Sequence, residues 1–274
     1  MQARVTRNIH ARTVTGFGDE WAAFDQSELP DAERKALFDA YFAVFPFEAL
    51  PADAEGFDLG CGSGRWAALM APKVGLLHCI DPAEKALEVA RRNVPGAQFH
   101  LADAGSIPLP YGSQDFGYSL GVLHHVPDTQ KALEACVRKL KPGAPFLVYL
   151  YYAFDNRPAW YRLAWKASDL LRHGICRLPF PLKKAVTGLI AASVYWPLAR
   201  SSRFIGASFP LYAYRNSSFY TMRTDALDRF GTQLEQRFTR DQIRAMMTAA
   251  GLTRIKFADA IPYWTAVGFK SDRS

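Results

Sequence analysis

Short apolar runs alternate with amphipathic stretches from residue 56 onward, which predicts βα units around a mainly parallel sheet. Runs at 56–59, 76–80, 98–102, 116–120 and 146–152 predict five strands. The last is almost unbroken and suits the middle of a parallel sheet. Helical spacing predicts helices over 64–71, 82–93 and 129–140; Pro95-Gly96 and Lys141-Pro142-Gly143 stop the last two. Before residue 49, a glycine-rich turn carrying Phe17, Gly18, Trp21 and Phe24 precedes a helix predicted over 31–45. The rhythm breaks from 153 to 236, where the chain is aromatic, basic and helical in period, punctuated by five prolines. It resumes with Thr239 and Gln242, a capping box opening a helix through Ala250 that Gly251 stops, and with strands at 253–258 and 265–270. The organisation expected is an N-terminal extension or lid (1–48), a doubly wound α/β core (49–152 and 237–274) and a mainly helical cap inserted after strand five (153–236).

Composition changes this picture little: 49% apolar and 22% charged residues suit a globular chain with a real core. Charge changes it more. Residues 151–215 hold ten Lys/Arg against two Asp, a net +8, while the rest of the chain nets −1. An excess confined to one segment concerns partners, not fold. The N-terminus lacks the apolar stretch of a secretory signal, and the four cysteines (61, 79, 136, 176) form no C-x-x-C pair. They read as small buried residues of a reducing compartment, so a cytoplasmic protein without a metal site is expected.

The chemistry concentrates where the first strand meets its helix, at Asp58-Leu59-Gly60-Cys61-Gly62-Ser63-Gly64. Alternating glycines permit unusual dihedrals and close backbone approach by a ligand, and ligands of open α/β folds bind beyond the carboxyl ends of the strands. The spacing is G-x-G-x-G, not the dinucleotide G-x-G-x-x-G. The preceding acid, Asp58, would repel a pyrophosphate and attract the ammonium of an amino-acid moiety. Asp81 ends the second strand, where an acid suits ribose hydroxyls. Asp103 ends the third, where it suits an adenine amino group while the next N–H donates.

The sequence here resembles class I S-adenosylmethionine-dependent methyltransferases, especially the ubiquinone/menaquinone-type branch. The resemblance is carried by 57–64, Ile80-Asp81-Pro82, Ala102-Asp103-Ala104, Asp115-Phe116 with 122–126, and Leu140-Lys141-Pro142-Gly143. It implies a Rossmann-like seven-stranded sheet of order 3-2-1-4-5-7-6 with the last strand antiparallel. It also implies S-adenosylmethionine as cofactor and S-adenosylhomocysteine as product, bound by Asp58, Gly60, Cys61, Gly62, Gly64, Asp81, Pro82, Asp103, Ala104 and Leu120. Asp58 and Gly60 would face the methionine part, Asp81 the ribose and Asp103 the adenine. Gly56 departs from the aliphatic residue usual there and is expected to fray the first strand slightly.

Strand four ends Ser119-Leu120-Gly121-Val122, not the Asn/Asp-Pro-Pro-Tyr/Phe of many nucleic-acid methyltransferases, so no nucleic-acid partner is expected. His124 and His125 are the candidate catalytic bases, with Tyr151, Tyr152, Asp155 and His173 as rivals. Trp21, Tyr151, Tyr152 and Trp160 are the candidate acceptor-binding residues. The expected function is methylation of a small-molecule or lipid-linked acceptor, on oxygen first. The alternatives are carbon methylation of a quinone- or lipid-like acceptor and a non-catalytic module that binds S-adenosylmethionine. The basic cap reads as a substrate cap, a homodimer surface or a contact with an anionic membrane face, the last placing the protein at a membrane periphery.

Overall fold

The computed structural model describes residues 8–206 and 209–272, so the first seven residues of the expected N-terminal extension lie outside it. One sheet runs through the molecule in the order β3-β2-β1-β4-β5-β7-β6. It comprises β1 (Glu55–Leu59), β2 (Leu76–Asp81), β3 (Gln98–Leu101), β4 (Phe116–Leu120), β5 (Pro145–Tyr149), β6 (Leu252–Phe257) and β7 (Ala266–Lys270). The first five are parallel, and β7 inserts antiparallel between β5 and β6, as the resemblance implies.

The period of two along each strand splits the core. Phe57, Leu59, Ile80, Phe146 and Val148 pack on one face, and Leu77, Cys79, Phe116, Tyr118 and Leu147 on the other. Three short helices, α3 (Ala67–Met70), α4 (Glu84–Asn93) and α5 (Thr129–Val137), return the chain between strands. The capping box forms at α10 (Arg240–Ala249): the Thr239 hydroxyl accepts from the Gln242 N–H, and the Gln242 side chain accepts from the Thr239 N–H.

Two expectations fail for physical reasons. The N-terminal segment is a helix, α1 (Ala11–Ala23), where the glycines predict a turn. Gly18 instead lets that helix lie close on α4, since a Cβ there would touch the Ala83 Cβ at 3.4 Å. Nor does Gly56 fray β1. It pairs with Leu77 and with Phe116, whose ring occupies the space a side chain at Gly56 would need.

A second helix, α2 (Asp31–Tyr41), follows α1. Between β5 and α10 lie α6 (Ala159–Ile175), α7 (Phe180–Ile190), α8 (Trp196–Ile205) and α9 (Phe219–Gly231), with one π-helical stretch (Ala191–Tyr195) making α7 and α8 nearly continuous. They enclose a core of their own around Ala191, Tyr195, Ala199, Met222, Ala226 and Phe230. Together with α1 they roof the carboxyl ends of β1, β4 and β5.

Candidate active site

The turn after β1 is built on left-handed backbone: φ is +78° at Gly60, +54° at Gly62 and +78° at Gly64. A Cβ at Gly60 would fall 2.4 Å from the Val122 side chain, and one at Gly62 would fall 2.8 Å from Trp21 Nε1. Only glycine fits this cradle. Asp81, at the end of β2, is pinned beside it, accepting from the Gly62 N–H at 2.9 Å and the Ala83 N–H at 2.8 Å. Burial pushes its carboxyl up to about 6 against the pull of those two bonds. Asp103 accepts from the Gly105 N–H at 2.6 Å. The adjacent Ala104 N–H has no protein partner among the described residues.

Asp58 sits elsewhere. Its neighbours Phe57 and Leu59 point to one face of the sheet, so its side chain points to the other, beneath the glycine turn and off the cavity wall. It is 1% exposed, its Oδ2 has no hydrogen-bond partner, and burial pushes its carboxyl up to about 8 despite the nearby Tyr118 hydroxyl. Gly64 is likewise off the wall, its Cα held against α4 near Val94.

A cavity of about 1780 Å³ begins at this turn and extends under the cap. Gly60, Cys61, Gly62, Asp81, Pro82, Asp103, Ala104 and Leu120 line its donor end. Trp21 closes that end from α1. His125, Tyr151 and Tyr152 line the same cavity under the cap, together with Tyr41, Tyr149 and Asp228.

The two histidines divide. His124 is fully buried and off the wall: its Nδ1 accepts from the Tyr151 N–H at 3.3 Å, and its ring stacks on Tyr151 at 3.8 Å. His125 Nδ1 lies 2.7 Å from the Leu234 carbonyl, so this nitrogen carries the proton and Nε2 the lone pair. Nε2 has no hydrogen-bond partner and lies 3.8 Å from Asp228 Oδ1. The Tyr151 hydroxyl donates to Asp228 Oδ2 at 2.5 Å. Burial pushes His125 down to about 4, so its ring is neutral across the physiological range.

The remaining candidates fall away from the chemistry. Asp155 accepts from the Arg240 N–H and Trp264 Nε1. His173 is exposed and bonded to the Asp169 carbonyl. Trp160 stands half exposed outside the cavity wall. What the sequence reading missed are Glu20, Tyr41, Tyr149, Asp225 and Asp228. The one available signal was the acid pair of α9, spaced i, i+3 beside an apolar stripe.

Residues 57–148 match the model of a family described as a methyltransferase domain. The chain is 32% identical over 161 residues to an uncharacterized 37.1 kDa protein in transposon TN4556 of Streptomyces fradiae, covering 56% of this chain and 43% of that one. It is 32% identical over 115 residues to a ubiquinone biosynthesis O-methyltransferase of Paracidovorax citrulli, covering 37% and 44%. A solved structure of a possible exported protein from Bordetella parapertussis superposes with a TM-score of 0.52 at 16% identity, covering 89% and 71%. The chain thus spans less than half the length of these two curated relatives.

Proposed function

Because the chain belongs to the class I S-adenosylmethionine-dependent methyltransferases, we propose that it methylates an oxygen of a small-molecule or lipid-linked acceptor held under the helical cap. The glycine cradle and two strand-end carboxylates fit the donor. Asp81 would hold the ribose hydroxyls, and Asp103 with the Ala104 N–H the adenine edge. The donor supplies an activated methyl on a sulfonium. The protein aligns the acceptor with it and keeps water out. An oxygen nucleophile must also lose its proton.

The observation that carries this reading is His125, which lines the cavity that begins at the glycine turn and whose Nε2 has no hydrogen-bond partner. That lone pair takes the acceptor's proton, and the Leu234 carbonyl fixes the ring by holding the other nitrogen. Asp228 beside it favours the imidazolium once formed.

Incubation with S-adenosylmethionine and panels of phenols, quinols, carboxylic acids and lipids tests the proposal by mass spectrometry for a product one methylene heavier. His125→Gln is expected to lower kcat about 100-fold or more while S-adenosylhomocysteine affinity holds. Donor binding without any product would leave a non-catalytic module. Relatives that share the domain are named for tRNA carboxymethyluridine, so methyl label recovered only in RNA would overturn the acceptor class.

A lipid-linked acceptor is favoured by one surface feature. Among the described residues, eleven of the thirteen exposed large apolar side chains fall between Trp160 and Phe219, in the same stretch that carries the positive excess. No helix among them is long and apolar enough to cross a membrane. Apolar contact at acyl depth with Lys/Arg against anionic headgroups is the matching mode. The protein is expected to sediment with phosphatidylglycerol vesicles at low salt and to release as salt rises. Leu189→Asp with Phe204→Asp should abolish that retention. Equal retention on neutral vesicles would count against it.

A further inference from the structure

The cavity holds two carboxylates that neither donor binding nor proton removal uses, Asp225 of α9 and Glu20 of α1. Asp228, which faces His125, stands one turn from Asp225 on the same wall. Glu20 is 3% exposed, and its Oε1 has no hydrogen-bond partner. Helix α1 packs on α9, which brings the three to one wall, and Asp225 and Asp228 both raise the Glu20 carboxyl beyond what its burial does. Among the described residues no Lys or Arg nitrogen comes within ion-pair distance of any of them.

One cation, Arg65, lines the same cavity and its charge lowers all three carboxyls from beyond ion-pair distance, with its Nε donating to the Gln26 side chain and its guanidinium beside the Trp21 and Trp66 rings. The others are engaged elsewhere. Arg229 pairs with Asp169 and Glu235, Arg237 pairs with Glu235, and Lys183 donates to the Gly231 carbonyl. Tyrosines complete the enclosure: Tyr41, Tyr149 and Tyr214 line the same cavity, and each is raised by the neighbouring Asp225 in addition to its own burial.

Buried charge is paired or neutralised in folded proteins, and three carboxyls that share one distant Arg65 and no ion pair with any Lys or Arg leave room for a further positive group. Aromatic faces around carboxylates suit an alkylammonium, which gains from both ring quadrupoles and charge. The geometry points to an acceptor that carries a protonated or quaternary amine, seated between Glu20, Asp225 and Asp228 under the tyrosines. This rests on the reading that the acceptor occupies the cap cavity. It adds what the acceptor must present there: a cation on one side and the oxygen nucleophile toward His125.

The donor's own ammonium is the competing occupant, and loading the donor site separates the two. Protein saturated with S-adenosylhomocysteine is titrated calorimetrically with choline and with 3,3-dimethylbutan-1-ol, its neutral isostere. Choline is expected to bind about tenfold tighter or better. Asp225→Asn and Glu20→Gln should each erase most of that difference while S-adenosylhomocysteine affinity stays within about twofold. Thermal melts confirm that both variants fold. Equal binding of the two probes, no choline binding, or a loss of S-adenosylhomocysteine affinity matching that of choline would each overturn the proposal. The choline arm is repeated without S-adenosylhomocysteine. Discrimination there, with no S-adenosylhomocysteine binding at all, would sink the donor reading and leave the amine box standing.

Discussion

Replacing Asp81 with alanine is expected to weaken S-adenosylhomocysteine binding about 100-fold or more, with little change in thermal stability. The carboxylate does two jobs. Its Oδ2 ties down the Gly62 N–H and its Oδ1 the Ala83 N–H, so it sets the shape of the turn. Its remaining lone pairs face the cavity, where they can accept two ribose hydroxyls. Removing it therefore loses charge-assisted bonds and cradle geometry together. Asp81→Asn should be milder, since one oxygen survives. The proton economy adds a signature. Because burial lifts this carboxyl to about 6, affinity should fall as pH drops through 6 in the wild type, when the acceptor-only carboxylate becomes a neutral acid. In Asp81→Asn that part of the pH dependence should vanish. Calorimetry between pH 5 and 8 reads both effects, and wild-type affinity for Asp81→Ala would show that the ribose lies elsewhere.

The second large effect is on stability. Gly56→Val should destabilise the protein by about 3 kcal/mol or more, lowering Tm by roughly 6–12 °C. Strand propensity alone argues the opposite, because valine favours strands and glycine weakens them. Packing decides. A Cβ at Gly56 would lie 2.3 Å from the Phe116 ring, which is fully buried and stands beside Tyr118 and Phe45. Phe116 cannot step aside, so β1 or β4 would have to shift. Phe116→Ala alone leaves a cavity, but combined with Gly56→Val the two should cost less than their sum. A Gly56→Val variant that melts with the wild type would mean the ring is not held as described.

These two residues also show where the sequence was legible. The parallel strands could be read because burial on both faces writes near-continuous apolar runs. Asp81 and Asp103 were readable because strand ends fix where a following residue stands. Asp58 was misjudged as a wall residue although the answer lay in the period of two. With Phe57 and Leu59 on one face of the sheet, Asp58 had to take the other. Gly56 looked like a weakness because its compensating ring lies 60 residues on, and no local pattern carries a contact made across a sheet. Helix α1 was hidden by Gly16 and Gly18, poor helix formers that serve its packing on α4 instead. The histidine pair could not be divided from sequence, since which ring reaches the cavity depends on the Leu234 carbonyl and the Tyr151 N–H. The cap was legible as basic and aromatic, but its inward carboxylates came into view only once α1 and α9 were placed side by side.

The central claim is that this turn, with Asp81 and Asp103 beyond it, holds S-adenosylmethionine and not a dinucleotide. Titration of the ligand-free protein with S-adenosylhomocysteine and, separately, with NAD⁺ tests it most directly. One-to-one binding of S-adenosylhomocysteine, with NAD⁺ silent at the same concentration, is the result predicted from the cradle of Gly60, Gly62 and Gly64 beside Asp81. Binding of NAD⁺ in its place, or of neither, would contradict it.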